Sequence, residues 1–183
     1  MFETPRGNRL HIALFGRRNA GKSSLINALT NQSLAIVSAV AGTTTDPVYK
    51  SMEILPIGPV VVIDTAGLDD VGELGELRIA KSLEILRKTD LVLLVVDAAV
   101  GIGDPEKTLA LKCAEQKIPF ILAFNKSDLR EVAEDLLESA RRALGAVAAV
   151  AVSAQERRGI GELKITRVGH PRAPWATQTP AAD

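Results

Sequence analysis

The segment 16–23, GRRNAGKS, fits the pattern G-x-x-x-x-G-K-[ST] and constrains the fold more than any other part of the sequence. The apolar run 10–15 precedes it, and the helix-compatible run 24–30 follows it. In a strand–loop–helix unit of this kind, glycines let consecutive backbone N–H groups turn inward, and the helix N-terminus adds partial positive charge. The pattern therefore predicts a phosphate-binding loop in preference to a glycine turn with an incidental lysine.

The residues of this loop have separate predicted roles. We expect the ammonium group of Lys22 to contact the β- and γ-phosphates of a nucleotide and to assist catalysis, and the hydroxyl of Ser23 to bind Mg²⁺. The remaining predicted nucleotide-binding positions of the loop are Asn19, Ala20, Gly21 and Ser24.

Short apolar runs alternate with longer helical patterns along the chain. Buried strands are predicted at 10–15, 60–63, 91–96, 120–124 and 147–152, and alternating residues predict an antiparallel edge strand at 48–54. Helices are predicted at 24–30, 76–88, 105–116 and 131–144, the last with Val132, Ala133, Leu136, Leu137 and Ala140 as its packing face. We expect an α/β fold of the P-loop NTPase type with three layers. Its mostly parallel six-stranded sheet would have one antiparallel edge strand, helices on both faces and a site at the strand C-termini.

Two further motifs carry chemistry, one directly after a predicted strand and one between the first predicted helix and the edge strand. In the segment 64–67, DTAG, the carboxylate of Asp64 can hold a Mg²⁺-bound water, and the N–H of Gly67 can reach a γ-phosphate. The segment 42–45, GTTT, can fold over a nucleotide and supply a hydroxyl to Mg²⁺, from either Thr44 or Thr45. A plain polar turn is the alternative interpretation of the second segment.

The segment 125–128, NKSD, predicts which base is bound. The carboxylate of Asp128 can accept hydrogen bonds from N1–H and the 2-amino group of guanine, whereas adenine has an acceptor at N1 and lacks the amino group. Asn125 would bridge toward the base and the phosphate loop, and the stem of Lys126 would cover the base plane. Backbone N–H groups of Ser153 and Ala154, after the last predicted strand, would contact guanine O6.

Composition excludes several other functions. Lys plus Arg and Asp plus Glu number 22 each, and aromatic residues make up 3%, so we expect neither a nucleic-acid nor a membrane partner. The single cysteine, Cys113, is expected to fill the core, and one cysteine does not suffice for a cysteine-ligated Fe–S cluster. With no leader-like apolar segment at the N-terminus, a cytoplasmic location is expected.

The segments 16–30, 41–78 and 125–128 resemble GTPases of the TRAFAC class, in the group of Era and the tRNA-modifying GTPase. They are more closely similar to the G domain of the HydF family, the maturation GTPases of [FeFe]-hydrogenase. The resemblance implies a G domain at 9–163, after an N-terminal extension at 1–8. It also implies binding of GTP and GDP with Mg²⁺, hydrolysis of GTP to GDP and phosphate, and hydrogenase maturation proteins as partners.

The resemblance has mechanistic implications. Leu68 stands where many GTPases have a water-orienting glutamine, so we expect slow hydrolysis by the isolated domain. Asn19 matches the asparagine with which relatives coordinate K⁺, which implies K⁺-stimulated hydrolysis, with G domains meeting face to face as a homodimer. Water could be oriented there by Glu73, Glu76, Asp69 or Asp70, each of which is as well explained as part of a solvated loop. Arg17 and Arg18 are expected to add positive potential or contact a partner.

The segment 164–183 departs from the family. Its proline and glycine content is incompatible with the long final helix of a G domain, so we expect a disordered tail and hypothesise a truncated, frameshifted or fragmentary product. We therefore expect no dimerisation region and no Fe–S cluster domain of the HydF type in this polypeptide. Three alternatives to a working hydrogenase-maturation GTPase stay open. They are a nucleotide-dependent interaction module with negligible hydrolysis, an Era-like ribosome- or tRNA-related GTPase, and an inactive remnant.

Overall fold

The structure, a computed structural model, describes residues 9–30, 48–54, 58–65, 80 and 82–165. Several predicted site residues lie outside this part of the chain, namely Thr44, Thr45, Gly67, Leu68, Asp69, Asp70, Glu73 and Glu76. Most of the tail expected to be disordered also lies outside the described residues.

A six-stranded sheet forms the centre of the structure, in the order β2-β3-β1-β4-β5-β6. Strand β2 runs antiparallel to β3 at one edge, and the other neighbouring strands are parallel, so the predicted fold class is confirmed. The strands are β1 (Leu10–Gly16), β2 (Val48–Ile54), β3 (Gly58–Asp64), β4 (Leu91–Asp97), β5 (Phe120–Asn125) and β6 (Ala148–Ala151).

Helices connect the strands as the alternating sequence pattern predicts. They are α1 (Lys22–Thr30), α2 (residues 82–87), α3 (Asp104–Gln116), α4 (Glu134–Leu144) and α5 (Ile160–Ile165). The prediction that the helix before β6 begins at residue 131 is wrong by three positions. It begins at Glu134 because the preceding residue, Ala133, is extended, with φ −66° and ψ 146°.

The sheet lies between two helical layers, each with its own apolar core. On one face, Leu25 and Leu29 of α1 pack in the same cluster as Ile160 and Leu163 of α5. On the other face, the cluster joins α2, α3 and α4 through Leu86, Leu109, Cys113 and Ala140. Burial raises the pKa of the Cys113 thiol to about 12, as the predicted core-filling role requires.

The predicted packing face of α4 is too wide. Ala140 is buried and Leu137 is partly buried against the core, but Leu136 is 54% exposed and Ala133 is also exposed. The helix packs mainly on β6, which is the last strand at its edge of the sheet. An edge strand offers a narrow surface, so only a narrow stripe of the helix is buried.

Strand register brings the C-terminal strand ends to one edge of the sheet. Asp64 of β3 is level with Leu14 of β1, and Asp97 of β4 is level with Asn125 of β5. Parallel strands that end together present their following loops side by side, which is where open α/β sheets bind ligands. In the part of the chain that the structure describes, no helix has the length and apolar character needed to cross a bilayer.

Candidate functional site

The loop between β1 and α1 adopts a conformation that depends on specific residues. Asn19 has φ +66° and Gly21 has φ +94°, both in the left-handed region that favours asparagine and glycine. A Cβ atom on Gly21 would lie 2.3 Å from Nδ2 of Asn125, so the loop reaches this close packing only with glycine. The glycine of the sequence motif is therefore required by both backbone conformation and space.

Lys22 lies in the first turn of α1 and reaches back over the loop. Its Nζ donates to the carbonyl oxygen of Gly16 at 2.8 Å and lies 3.4 Å from that of Arg17. These contacts hold a positive charge beside the loop backbone, next to the positively polarised N-terminus of α1. The arrangement suits a phosphate chain, which both charges would attract. The nearby Ser24 is exposed in the same helical turn.

Ser23 and Asp64 form a pair of oxygen donors across α1 and β3. The hydroxyl Oγ of Ser23 lies 3.5 Å from Oδ2 of Asp64. Burial raises the pKa of Asp64, although Lys22, Lys50 and the Ser23 hydroxyl act in the opposite direction. A partly buried carboxylate beside a hydroxyl fits a hard divalent cation such as Mg²⁺, which prefers oxygen ligands and would stabilise the ionised form.

No group of three or more His, Cys, Asp or Glu side chains within the described ranges is placed to hold a metal ion. The Ser23–Asp64 pair does not need such a cage, because Mg²⁺ in nucleotide sites is bound through one or two protein oxygens, water and substrate phosphates. The donor set therefore fits Mg²⁺ delivered with a nucleotide.

Asn125 joins the phosphate loop to the loop that follows β6. Its side chain is buried, with the residue 3% exposed. Nδ2 donates to the carbonyl oxygen of Ala20 at 3.0 Å, and Oδ1 accepts from the backbone N–H of Ala154 at 3.1 Å. The expected bridge to the phosphate loop is present, and the contact with Ala154 is one that sequence reasoning missed.

The backbone N–H groups of Ser153 and Ala154 do not face an open base site as expected. The Ser153 N–H donates to the carbonyl oxygen of Arg158, and the Ala154 N–H donates to Asn125. The side chain of Ser153 is fully buried, and its Oγ donates to Oδ1 of Asp128 at 2.8 Å. The two residues thus orient Asp128 and Asn125, and Oγ of Ser153 also accepts from the N–H of Glu156.

Lys126 connects three loops, with a partner that sequence reasoning missed. Its Nζ donates to the carbonyl oxygen of Asn19 at 2.6 Å and to Oδ2 of Asp97 at 3.0 Å. Burial raises the pKa of Asp97, but hydrogen bonds from the Ala99 N–H and from Lys126 outweigh it and leave the pKa lowered. The sequence signal at this position is a carboxylate that directly follows the apolar run 91–96, but it does not indicate Lys126 as the partner.

Arg17 does not have the role predicted for it. Its Nε and Nη2 both donate to the carboxylate of Glu106 in α3, each at 2.8 Å. The side chain is committed to a bond within the chain, so the expectation of general positive potential or a partner contact is wrong for this residue.

Comparisons with known proteins agree with this geometry. The family model described as 50S ribosome-binding GTPase matches residues 11–126. The tRNA modification GTPase MnmE of Moorella thermoacetica is 41% identical over 160 residues, which is 84% of this chain and 33% of that protein. MnmE of Dechloromonas aromatica is 35% identical over 156 residues, or 85% of this chain and 33% of that protein.

A solved structure shows the same fold. Era of Aquifex aeolicus, bound to GDP and AlF4⁻, matches with a TM-score of 0.69 and 25% identity, over 84% of this chain and 54% of that chain. Fold, phosphate loop and base motif together define a GTP-binding P-loop G domain of the Era and MnmE group. The chain belongs to the family described as 50S ribosome-binding GTPase.

The comparisons limit two of the predictions. The chain spans about a third of the length of the MnmE relatives it matches. These relatives are named for tRNA modification, so the HydF assignment stays a prediction. The family description, with its reference to the ribosome, conflicts weakly with the expectation that nucleic acid is not a partner.

The opposite pKa directions of Asp64 and Asp97 predict opposite effects of removing each charge. A raised pKa in the folded state means that ionising Asp64 costs stability as pH rises through that pKa. We expect Asp64→Asn to raise the melting temperature of the nucleotide-free protein at about pH 7, with the gain vanishing below the ordinary aspartate pKa. Thermal unfolding followed by circular dichroism across pH measures this effect.

Asp97→Asn is the matched control, because its folded-state pKa is lowered. Its ionised form contributes stability above the ordinary aspartate pKa, and this contribution is lost as pH falls through the lowered value. The variant should therefore melt at a lower temperature near neutral pH. Equal shifts of the same sign for both variants would contradict the assigned environments.

Proposed function

We propose that this chain is a GTP-binding and GTP-hydrolysing switch domain that acts in [FeFe]-hydrogenase maturation. The observation that carries the nucleotide part of the proposal is the buried Asn125 amide. It joins the phosphate loop at Ala20 to the Ala154 loop and places the guanine motif beside the phosphate motif. One ligand that contains both a guanine base and a phosphate chain matches this pair of motifs.

Each described residue has a proposed task in phosphate binding. Lys22 and the loop N–H groups of 19–24 hold the phosphates, and Ser23 and Asp64 hold Mg²⁺, directly or through water. When bound, Mg²⁺ supplies positive charge to the phosphate oxygens. Outside the described residues, Thr44 or Thr45 would complete the metal shell, and the Gly67 N–H would contact the γ-phosphate.

The NKSD residues have a proposed task in selecting guanine. The Ser153 hydroxyl holds Oδ1 of Asp128 at 2.8 Å, which fixes the orientation of the carboxylate that would accept from the base. Lys126, held by Asp97 and the Asn19 carbonyl, would lay its stem against the base plane. Both side chains are oriented before a ligand arrives, which lowers the entropy cost of binding.

Hydrolysis is proposed to be slow in the isolated domain and faster with K⁺. Leu68 has no group that could orient water, and a cation near Asn19 would supply charge that other systems provide by arginine. Asn19 lies within the phosphate loop and has a left-handed backbone conformation, with φ +66°. A homodimer of G domains would shield such a cation, with Glu73 as a candidate for orienting water.

The hydrogenase-maturation part of the proposal rests on the segment 41–78 and its resemblance to HydF proteins. A specific observation favours a second candidate, because MnmE relatives reach 41% identity. That candidate is a ribosome- or tRNA-related GTPase. A third, the interaction module, differs from both in binding GTP without turnover.

Base selection is tested with Asp128→Asn. The amide would donate to the C2 carbonyl of xanthine but lose one hydrogen bond to guanine, because an amide NH₂ cannot accept from the 2-amino group. We expect GTP affinity to fall by about 100-fold or more and affinity for xanthosine triphosphate to rise. Fluorescent-nucleotide titration measures both, with Asp135→Asn on α4 as an exposed control of the same chemistry. Unchanged GTP affinity would exclude Asp128 as the base reader.

Potassium dependence is tested with turnover of Mg²⁺–GTP in KCl and in NaCl. We expect stimulation by about tenfold or more in KCl, lost in Asn19→Gly, which removes the side chain but tolerates the positive φ. Asn19→Asp retains a side-chain oxygen and the backbone preference, so it should keep the stimulation. Tight GTP binding with equal, near-zero turnover in both salts would support the interaction module instead.

The physiological assignment is tested by domain exchange. Residues 9–163 replace the G domain of a HydF protein in a strain that lacks it, and of MnmE in a second strain. We expect hydrogenase activity to return in the first strain and to be lost again with Lys22→Ala, while tRNA modification stays defective in the second. Rescue of tRNA modification alone would overturn the hydrogenase assignment and favour the second candidate.

A further inference from the structure

Arg17 and Glu106 form a two-bond ion pair between the phosphate loop and α3. Nε of Arg17 lies 2.8 Å from Oε1 of Glu106, and Nη2 lies 2.8 Å from Oε2. The Glu106 side chain is only 1% exposed, and that of Arg17 is 27% exposed. Paired hydrogen bonds of this kind fix the relative orientation of the two groups as well as their distance.

The same carboxylate caps the N-terminus of α3. Oε2 of Glu106 accepts from the backbone N–H of Gly103 at 2.7 Å, and the N–H of Lys107 donates to the Gly103 carbonyl at 3.1 Å. A Cβ atom on Gly103 would lie 2.2 Å from Nη2 of Arg17. The guanidinium therefore packs directly on the backbone where the helix begins.

A buried carboxylate is costly unless its charge and its lone pairs are satisfied. Both oxygens of Glu106 accept from Arg17, and one also accepts from Gly103. Without the guanidinium of Arg17, the buried carboxylate of Glu106 would lose two of these three hydrogen bonds and keep only the one from the Gly103 N–H. The first turn of α3 thus depends on the position of the phosphate loop, and the loop depends on α3.

We propose that Arg17 is a positioning residue that couples nucleotide binding at the phosphate loop to the first turn of α3. This inference rests on the nucleotide-binding part of the proposed function. Because coupling between two sites is reciprocal, a contact that displaces the start of α3 would weaken nucleotide binding, and nucleotide would tighten the start of α3. Through the Arg17–Glu106 pair, nucleotide binding at the phosphate loop would thereby change the stability of the first turn of α3.

Hydrogen exchange with GDP and Mg²⁺ as the probe tests the coupling. In the wild-type chain, GDP should slow exchange in a peptide spanning 98–109, which contains the Gly103 and Lys107 amides. In Arg17→Gln, this protection should be lost while protection around 125–128 remains, and GDP affinity should fall by roughly 5- to 150-fold. Arg141→Gln is the matched control, because Arg141 makes the same two-bond contact with Glu138 on the surface of α4.

Glu106→Gln is the second variant, which keeps an oxygen for the Gly103 N–H but removes the charge. It should give the same loss of coupling with less effect on folding, which circular dichroism monitors for every variant. Wild-type-like protection of 98–109 in both variants would overturn the inference, as would a lowered melting temperature with unchanged GDP affinity. Failure of the wild-type chain to bind GDP would instead overturn the nucleotide-binding proposal on which it rests.

Discussion

The buried amide of Asn125 is the contact on which the rest of the site depends. Its two hydrogen bonds hold the carbonyl of Ala20 and the N–H of Ala154, so one side chain fixes the spacing of two loops. An amide can do this because it carries a donor and an acceptor, whereas a carboxylate would repel the carbonyl. Gly21 leaves the space that the amide fills, since a Cβ there would lie 2.3 Å from Nδ2.

Around this amide, charged pairs fix the loops from either side. Lys126 reaches Asp97 and the Asn19 carbonyl, and Arg17 reaches the buried Glu106. Such pairs contribute little net stability when their desolvation is counted, but each is costly to break from one side. These pairs fix the positions of the loops relative to one another. A site built from side chains that are bonded to one another in this way needs little reorganisation when a charged ligand binds.

Asp64 shows the opposite tendency within the same site. Burial raises the pKa of its carboxyl even with two lysines nearby, so ionisation of this group is disfavoured, and a bound divalent cation would favour it. Asp97 lies at the end of β4, which β1 separates from β3, yet its pKa is lowered because it already has an N–H and an ammonium partner. The two strand-end aspartates thus differ: Asp64 is the proposed ligand for metal, and Asp97 is bonded to Lys126 and Ala99 within the chain.

The sequence by itself determined the fold class, the strand order along the chain and the position of the phosphate and guanine motifs, because these depend on local spacing and on periodic burial. It also indicated that Asn125 would reach the phosphate loop. Only the tertiary structure decided the partners of Arg17 and Lys126 and the narrow buried stripe of α4. The Arg17–Glu106 contact joins positions 89 residues apart, and such contacts follow from strand register, helix position and side-chain direction, which no short segment of sequence encodes.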